Sequence, residues 1–229
     1  MSKNNQVNLD SSVIGKKIFL GFSGLVLLSF VTFHLLGNLS FFAGQDAINN
    51  YAHFLHSHPN IINVARSFLL LNLVAHVYYS ISLTLTNRAA RQVQYEVKNN
   101  MRETFASSTM IISGITILLF VCFHLAHFTL GYIQPENYHM IDTQDRVDVY
   151  TMLVRDFQSQ YIVLIYLAAM SALGLHLSHA FFSVCQTFSI LSTGTSIHKS
   201  VQVSRGIALV LIFGYLTIPF SIFLKVIEA

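Results

Sequence analysis

The sequence predicts an all-α integral membrane protein with five transmembrane helices. Hydrophobic residues fill 53% of the 229 positions and charged residues only 10%, whereas a soluble domain carries about 25% charged residues. Five stretches are apolar over the roughly 20 residues needed to cross the hydrocarbon core. They run over about 17–42, 61–86, 107–132, 160–191 and 205–227. The connections are short, so residues 1–229 are expected to form one transmembrane domain, with no separate soluble one.

The first span follows a polar leader, MSKNNQVNLDSS. It is longer than a signal-peptide apolar region of roughly 7–15 residues, and no small-residue cleavage site follows it. It is therefore expected to stay in the protein. Lys and Arg favour the cytoplasmic side of short loops. The leader carries Lys3, Lys16 and Lys17. The connection after the second span carries Arg88, Arg91, Lys98 and Arg102, and the one after the fourth carries Lys199 and Arg205. The loop after the first span, AGQDAINNYAHFLHSHPN, has neither residue type. The loop after the third is mostly acidic: Glu136, Asp142, Asp145, Asp148 and Asp156 against Arg146 and Arg155. This alternation predicts a cytoplasmic N-terminus and an external C-terminus, and it requires an odd number of spans. The formal charge of +3 fits basic cytoplasmic loops and gives no sign of nucleic-acid binding. Cys122 and Cys185 fall inside spans and read as packing residues without a disulfide framework.

Histidine is costly in hydrocarbon, and inside a span it marks a functional site by default. His34, His76, His124, His127, His176 and His179 all lie in apolar spans. The first and third spans run outward, and His34 and His124 sit in their outer halves. The second and fourth run inward, which places His76 and His176 in the inner half. Two layers follow, each with one histidine from each of two helices, roughly 10–20 Å apart at the helical rise. Paired imidazoles in a helical bundle suit bis-histidine haem b. Zinc would need more ligands converging on one point. The first four helices are therefore expected to form a bundle holding two haem b groups, with His34, His76, His124 and His176 as axial iron ligands.

The first and third spans repeat a pattern: SGLVLLSFVTFHL from Ser23 and SGITILLFVCFHL from Ser113. Ser23 precedes His34 by eleven residues, and Ser113 precedes His124 by the same number. Three helical turns put each Ser on the face of its His, at the depth of the inner layer. Ser23–Gly24 and Ser113–Gly114 would then leave room for a macrocycle there. Close helix–helix packing by small residues is the competing reading. His127 and His179 each lie three residues past a ligand candidate, rotated about 60° from it. They could bond haem propionates or quinone, or face a neighbouring helix. Haem propionates favour Arg or Lys at the bundle rim. Arg66 and Arg155 near the external ends, and Lys17, Arg88 and Arg205 near the cytoplasmic ends, are candidates, against ordinary snorkelling.

These residues resemble a family. FHLLGN around His34, NNYAHFLHSHP in the external loop, VAHVYYS around His76, VCFHLAH around His124 and LGLHLSHAF around His176 are similar to the single, five-helix, dihaem cytochrome b subunit of succinate:quinone oxidoreductases and fumarate reductases. The resemblance covers nearly the whole chain. It implies a distal haem between the first and third spans and a proximal haem between the second and fourth. It also implies a flavoprotein subunit and an iron–sulfur subunit as partners, with the latter docking on the basic cytoplasmic loops. Electrons would pass from the iron–sulfur subunit through both haems to a quinone such as menaquinone, in the cell inner (cytoplasmic) membrane, or the reverse with fumarate. Some family members carry a glutamate two residues before the fourth-span ligand. Here that position is Gly174, so such a proton path is not expected. Asp46 and the cluster His53, His56 and His58 are candidates for an outer quinone site, or a solvated, metal-scavenging loop. Other readings are the cytochrome b of a hydrogenase or formate dehydrogenase, a histidine-lined metal or proton transporter, and a structural anchor without cofactor.

Overall fold

The computed structural model describes residues 12–89, 109–189 and 194–227. Lys3, Arg91, Lys98 and Arg102 lie outside the described residues. Five helices are long and apolar enough to cross a membrane: Val13–Ala43, Pro59–Ala89, Met110–Thr129, Gln160–Thr187 and His198–Phe223. The chain is a multi-pass membrane protein. In chain order the helices are α1 (Val13–Asn38), α2 (Gln45–His56), α3 (Pro59–Ala89), α4 (Met110–His124), α5 (Pro135–Tyr138), α6 (Val149–Asp156), α7 (Gln160–Thr187) and α8 (Gly194–Phe223).

Local chemistry sets the ends. Ser12 caps α1, its Oγ accepting from the Gly15 amide at 2.9 Å, which satisfies one of the free donors at a helix start. α1 tightens into a 3₁₀ turn, Leu39–Ala43, and stops at Gly44, whose φ of 99° a side chain would strain. The third span ends earlier than expected. It passes into a single π turn, Leu125–Thr129, and Gly131 then turns the chain with φ of 64°. The fourth ends at Thr187 rather than 191, followed by Ser189 at positive φ.

The loops that read as short connections fold into a cap of α2, α5 and α6. Asn49, fully buried, is its hinge pin. Its Nδ2 donates to Asp142 and Asp148, both at 3.0 Å, and its Oδ1 accepts from the Tyr150 amide at 3.0 Å. Arg146 closes the other side. It donates to Asp46 at 2.7 Å, Asn50 at 2.6 Å and Asp142 at 2.8 Å. The guanidinium beside Asp142 holds that carboxyl well below the usual range, with Asn49 and backbone amides adding to the effect. Burial alone would raise Asp148, but bonds from Asn49, Thr151 and Gln45 outweigh it and lower it.

Beneath the cap sits the main apolar core: Phe41, Ile48, Leu153, Val154, Phe157, Ile162, Val163, Tyr166, Ile218 and Ile222. A second cluster, Leu35, Leu177, Ala208 and Leu211, joins α1, α7 and α8. α7 and α8 are the most intimate pair. A Cβ on Gly174 would overlap the Ile212 side chain. Ser204 on α8 donates across to the carbonyls of Leu177 and Ser178 at 2.9 and 2.8 Å. Small residues that let backbones approach are the usual device of membrane helix packing.

The other half is looser. α1 packs along α3, and α4 along α7. Among the described residues, α1 has no extended backbone packing with α4, and neither has α3 with α7 or α4. α3 has no buried residue at all.

Candidate functional site

Two imidazole pairs bridge the helices that do not otherwise pack. The cap-side pair is His34 on α1 and His124 on α4, with ring centroids 5.9 Å apart. The base-side pair is His76 on α3 and His176 on α7, with centroids 6.5 Å apart. Ser23 meets the base-side pair and His34 the cap-side pair on one helix. Eleven residues at a 1.5 Å rise separate these levels by about 16 Å.

The repeated Ser–Gly elements seat the base-side rings. Ser23 Oγ lies 3.0 Å from His76 Nδ1, and Ser113 Oγ lies 3.3 Å from His176 Nδ1. Each hydroxyl has one proton, and each donates it to the carbonyl three residues back, Leu20 or Met110, at 3.0 Å. With that proton directed to the carbonyl, each oxygen accepts, a bond that suits the tautomer with hydrogen on Nδ1 and the lone pair on Nε2. The glycines supply room. A Cβ on Gly24 would sit 3.5 Å from His76 Cε1, and one on Gly114 would sit 3.7 Å from His176 Cε1. Both are ordinary contact distances, so it is side chains larger than alanine that these positions exclude. Asn72, one turn from His76, donates to the Ser23 carbonyl at 3.0 Å and locks α3 to α1 in this register.

The cap-side pair is held differently. His124 Nδ1 lies 3.1 Å from the Tyr166 hydroxyl, and His127 Nδ1 lies 3.2 Å from the same oxygen. The π turn widens the helix where His127 must reach that hydroxyl, as such turns often do at functional positions. His127 Nε2 is 3.0 Å from Asp156 Oδ2 and 3.3 Å from Gln134 Oε1. Asn137 donates to the other Asp156 oxygen at 2.7 Å. His127 and Asp156 are each 1% exposed, so this contact belongs to the protein interior. His34 stacks on Phe30 with centroids 5.4 Å apart and lies 6.2 Å from the Tyr215 ring. Tyr215 donates to the Val31 carbonyl at 2.6 Å.

Placement of the remaining candidates is less convergent. Lys17, Arg66, Arg88, Arg155 and Arg205 are all exposed, and no described acidic group pairs with them. Lys16, which sequence reasoning passed over, reaches Thr86 Oγ1 at 3.2 Å and ties the bases of α1 and α3. Asp46 belongs to the Arg146 clamp. His53 and His56 are exposed, and His58 bonds the Phe54 carbonyl at 2.8 Å. Among the described residues no group of three or more His, Cys, Asp or Glu side chains could hold a metal ion, so the loop cluster is not built as a metal trap. Cys185 is buried, whereas Cys122 is exposed on α4 and is not a packing residue. Tyr166, Asp156 and Asn72 were missed in the sequence. A tyrosine in an apolar span and an acid at its mouth are ordinary features, and only contact reveals their roles.

Each pair therefore offers a metal two imidazoles and, among the described residues, no third His, Cys, Asp or Glu ligand. A metal–nitrogen bond of about 2.0–2.1 Å, added to a ring radius of about 1.1 Å, puts two rings on opposite sides of one metal about 6.3 Å apart, centroid to centroid. The observed 5.9 and 6.5 Å bracket that value. The donor set suits a metal that brings its other ligands with it. Compared with known proteins, the chain matches no family model, no curated protein and no solved structure.

Proposed function

We propose that the chain is a dihaem membrane cytochrome b, the anchor and electron-transfer subunit of a succinate:quinone oxidoreductase. One observation carries the haem assignment: two imidazole pairs about 16 Å apart, each at the span of a six-coordinate metal and with only two protein ligands. His34 and His124 would hold one haem b, and His76 and His176 the other. Bound haem supplies a one-electron couple at each level, so electrons from an iron–sulfur subunit could pass through both to a quinone such as menaquinone.

The chain's own residues orient the rings. Ser23 and Ser113 fix the base-side imidazoles with Nε2 free, and Gly24 and Gly114 leave space beside them. Second-shell bonds of this kind orient metal-ligating histidines and tune their basicity. The assignment to the succinate family rests on the motif resemblance. Five of the nine described basic residues, Lys16, Lys17, Arg88, Lys199 and Arg205, lie at the base end, and Arg66, Arg146, Arg155 and Lys225 lie toward the cap, which carries all the described acidic residues. This supports a cytoplasmic base in the inner membrane, with the flavoprotein and iron–sulfur subunits docking there. Fumarate reduction is the same electron path run backwards.

Two measurements test the reading. Pyridine haemochrome analysis of the purified complex is expected to give two b haems per chain, and a ratio of one or zero overturns the assignment. Co-purified subunits are expected to reduce quinone with succinate. Partners of another dehydrogenase or a hydrogenase would keep the haems and remove the succinate assignment.

A further inference from the structure

The hydrogen bonds around His124 form a directed chain: His124 Nδ1, Tyr166 hydroxyl, His127 Nδ1, His127 Nε2, Asp156 carboxylate. Its direction is set at the far end. His127 Nε2 faces two oxygens, Asp156 Oδ2 and Gln134 Oε1, so Nε2 carries a hydrogen. In a neutral ring Nδ1 is then an acceptor, and the single Tyr166 proton goes to it. The phenol oxygen must accept from His124, so His124 carries its hydrogen on Nδ1 and keeps the Nε2 lone pair. A doubly protonated His127 would keep its bond to Asp156, reverse both bonds to Tyr166 and leave hydrogen on His124 Nε2.

We infer that Asp156 is a remote positioning residue for His124, acting through His127 and Tyr166 to select its tautomer and raise its donor strength. The inference rests on the dihaem reading. It adds an asymmetry that the reading does not contain. Three buried groups on three elements, the π turn, α7 and the end of α6, serve one ring of four. A ligating histidine tied through its other nitrogen to a carboxylate is a more basic ligand, and here the tie runs through two intermediates. The base-side rings face neutral partners instead: the Ser23 hydroxyl for His76, and the Ser113 hydroxyl with the Met110 backbone for His176. Of the two haems, the cap-side one is therefore the one whose oxidised state Asp156 stabilises.

The test uses the full-length chain, ¹⁵N-histidine labelled, in nanodiscs and reduced with dithionite. The His127 signals are expected to show hydrogen on Nε2 and a bare, hydrogen-bonded Nδ1. A protonated Nδ1 on wild-type His127 overturns the inference, and this measurement needs no variant. Asp156→Asn places an amide before Nε2 and is expected to move the hydrogen to Nδ1, while Asp156→Glu restores the wild-type signals. In redox titrations Tyr166→Phe is expected to raise the potential of the cap-side haem and leave the base-side one unchanged. Two haems with unaltered potentials in Tyr166→Phe overturn the inference and leave the dihaem reading standing. A wild-type chain without haem overturns the dihaem reading, while the His127 signals still report the chain's direction.

Discussion

The base-side and cap-side pairs solve one problem by different means. At the base both rings receive the same treatment, because α1 and α4 carry the same Ser–Gly element three turns before their own histidines. Each serine serves the histidine of the other layer: Ser23 serves His76 and Ser113 serves His176. At the cap the rings are unequal. His124 is wired to a buried carboxylate, whereas His34 rests against Phe30 and the Tyr215 ring. A repeated sequence yields a symmetric site where only the repeat contributes. Symmetry is lost where non-repeated elements, the cap and α8, lean in.

The largest effect would break the pairing itself. Removing either ring of a pair is expected to lower the haem ratio from two to about one, with His34→Ala and His124→Ala losing the same haem and His76→Ala and His176→Ala losing the other. Spectral redox titration of the four variants identifies which haem remains. A variant that lost both, or the wrong one, would dissolve the comparison.

Next comes the repeat. Ser23 and Ser113 are 4% and 3% exposed and touch the base-side rings. Ser23→Leu or Ser113→Leu is expected to cost about 1–3 kcal/mol by overpacking and to perturb or expel the base-side haem alone. Ser→Ala at either position removes the hydroxyl's bond to the ring, worth about 1 kcal/mol, along with its bond to the backbone three residues back, and is expected to shift that haem's potential without loss of haem. A change confined to the cap-side spectrum would refute the crossed arrangement.

The smallest effect sharpens the contrast through pH. Asp142 is held below its ordinary value of 3.8 by the Arg146 guanidinium. A depressed folded-state value stabilises the cap fully above the unfolded value, and this is lost as pH falls through the folded one. Hydrogen-exchange protection factors in α2 and α6 are therefore expected to stay flat from neutral pH down to about 4 and to fall only below it. The base-side serines carry no such dependence. Arg146→Met is expected to remove the plateau.

Much of this was legible in the chain. Hydropathy located five spans, and depth counting assigned the histidines to their pairs. Ser23 and Ser113 were expected to face the inner level, and they do. Their contacts add what spacing did not announce: each hydroxyl touches an imidazole of the inner level. His127 looked like a surplus residue rotated from His124, because three residues were counted on an α-helix. The π turn changes that angle and lets both rings reach one phenol. The cap was illegible for a different reason. Asn49 finds Asp148, and Arg146 finds Asp46, across about a hundred residues of chain, with no periodicity to announce it.

The bareness of α3 reaches into biogenesis. A helix that buries nothing among the described residues, yet carries Asn72 and His76 into hydrocarbon, is held by one neighbour and by the cap. If the proposed haems fill the space before α7, synthesis of this chain and delivery of its prosthetic groups would be a single timed event. In a cell starved of iron, the newly made polypeptide would present a weakly docked helix to membrane proteases, and its abundance would track cofactor supply rather than transcription.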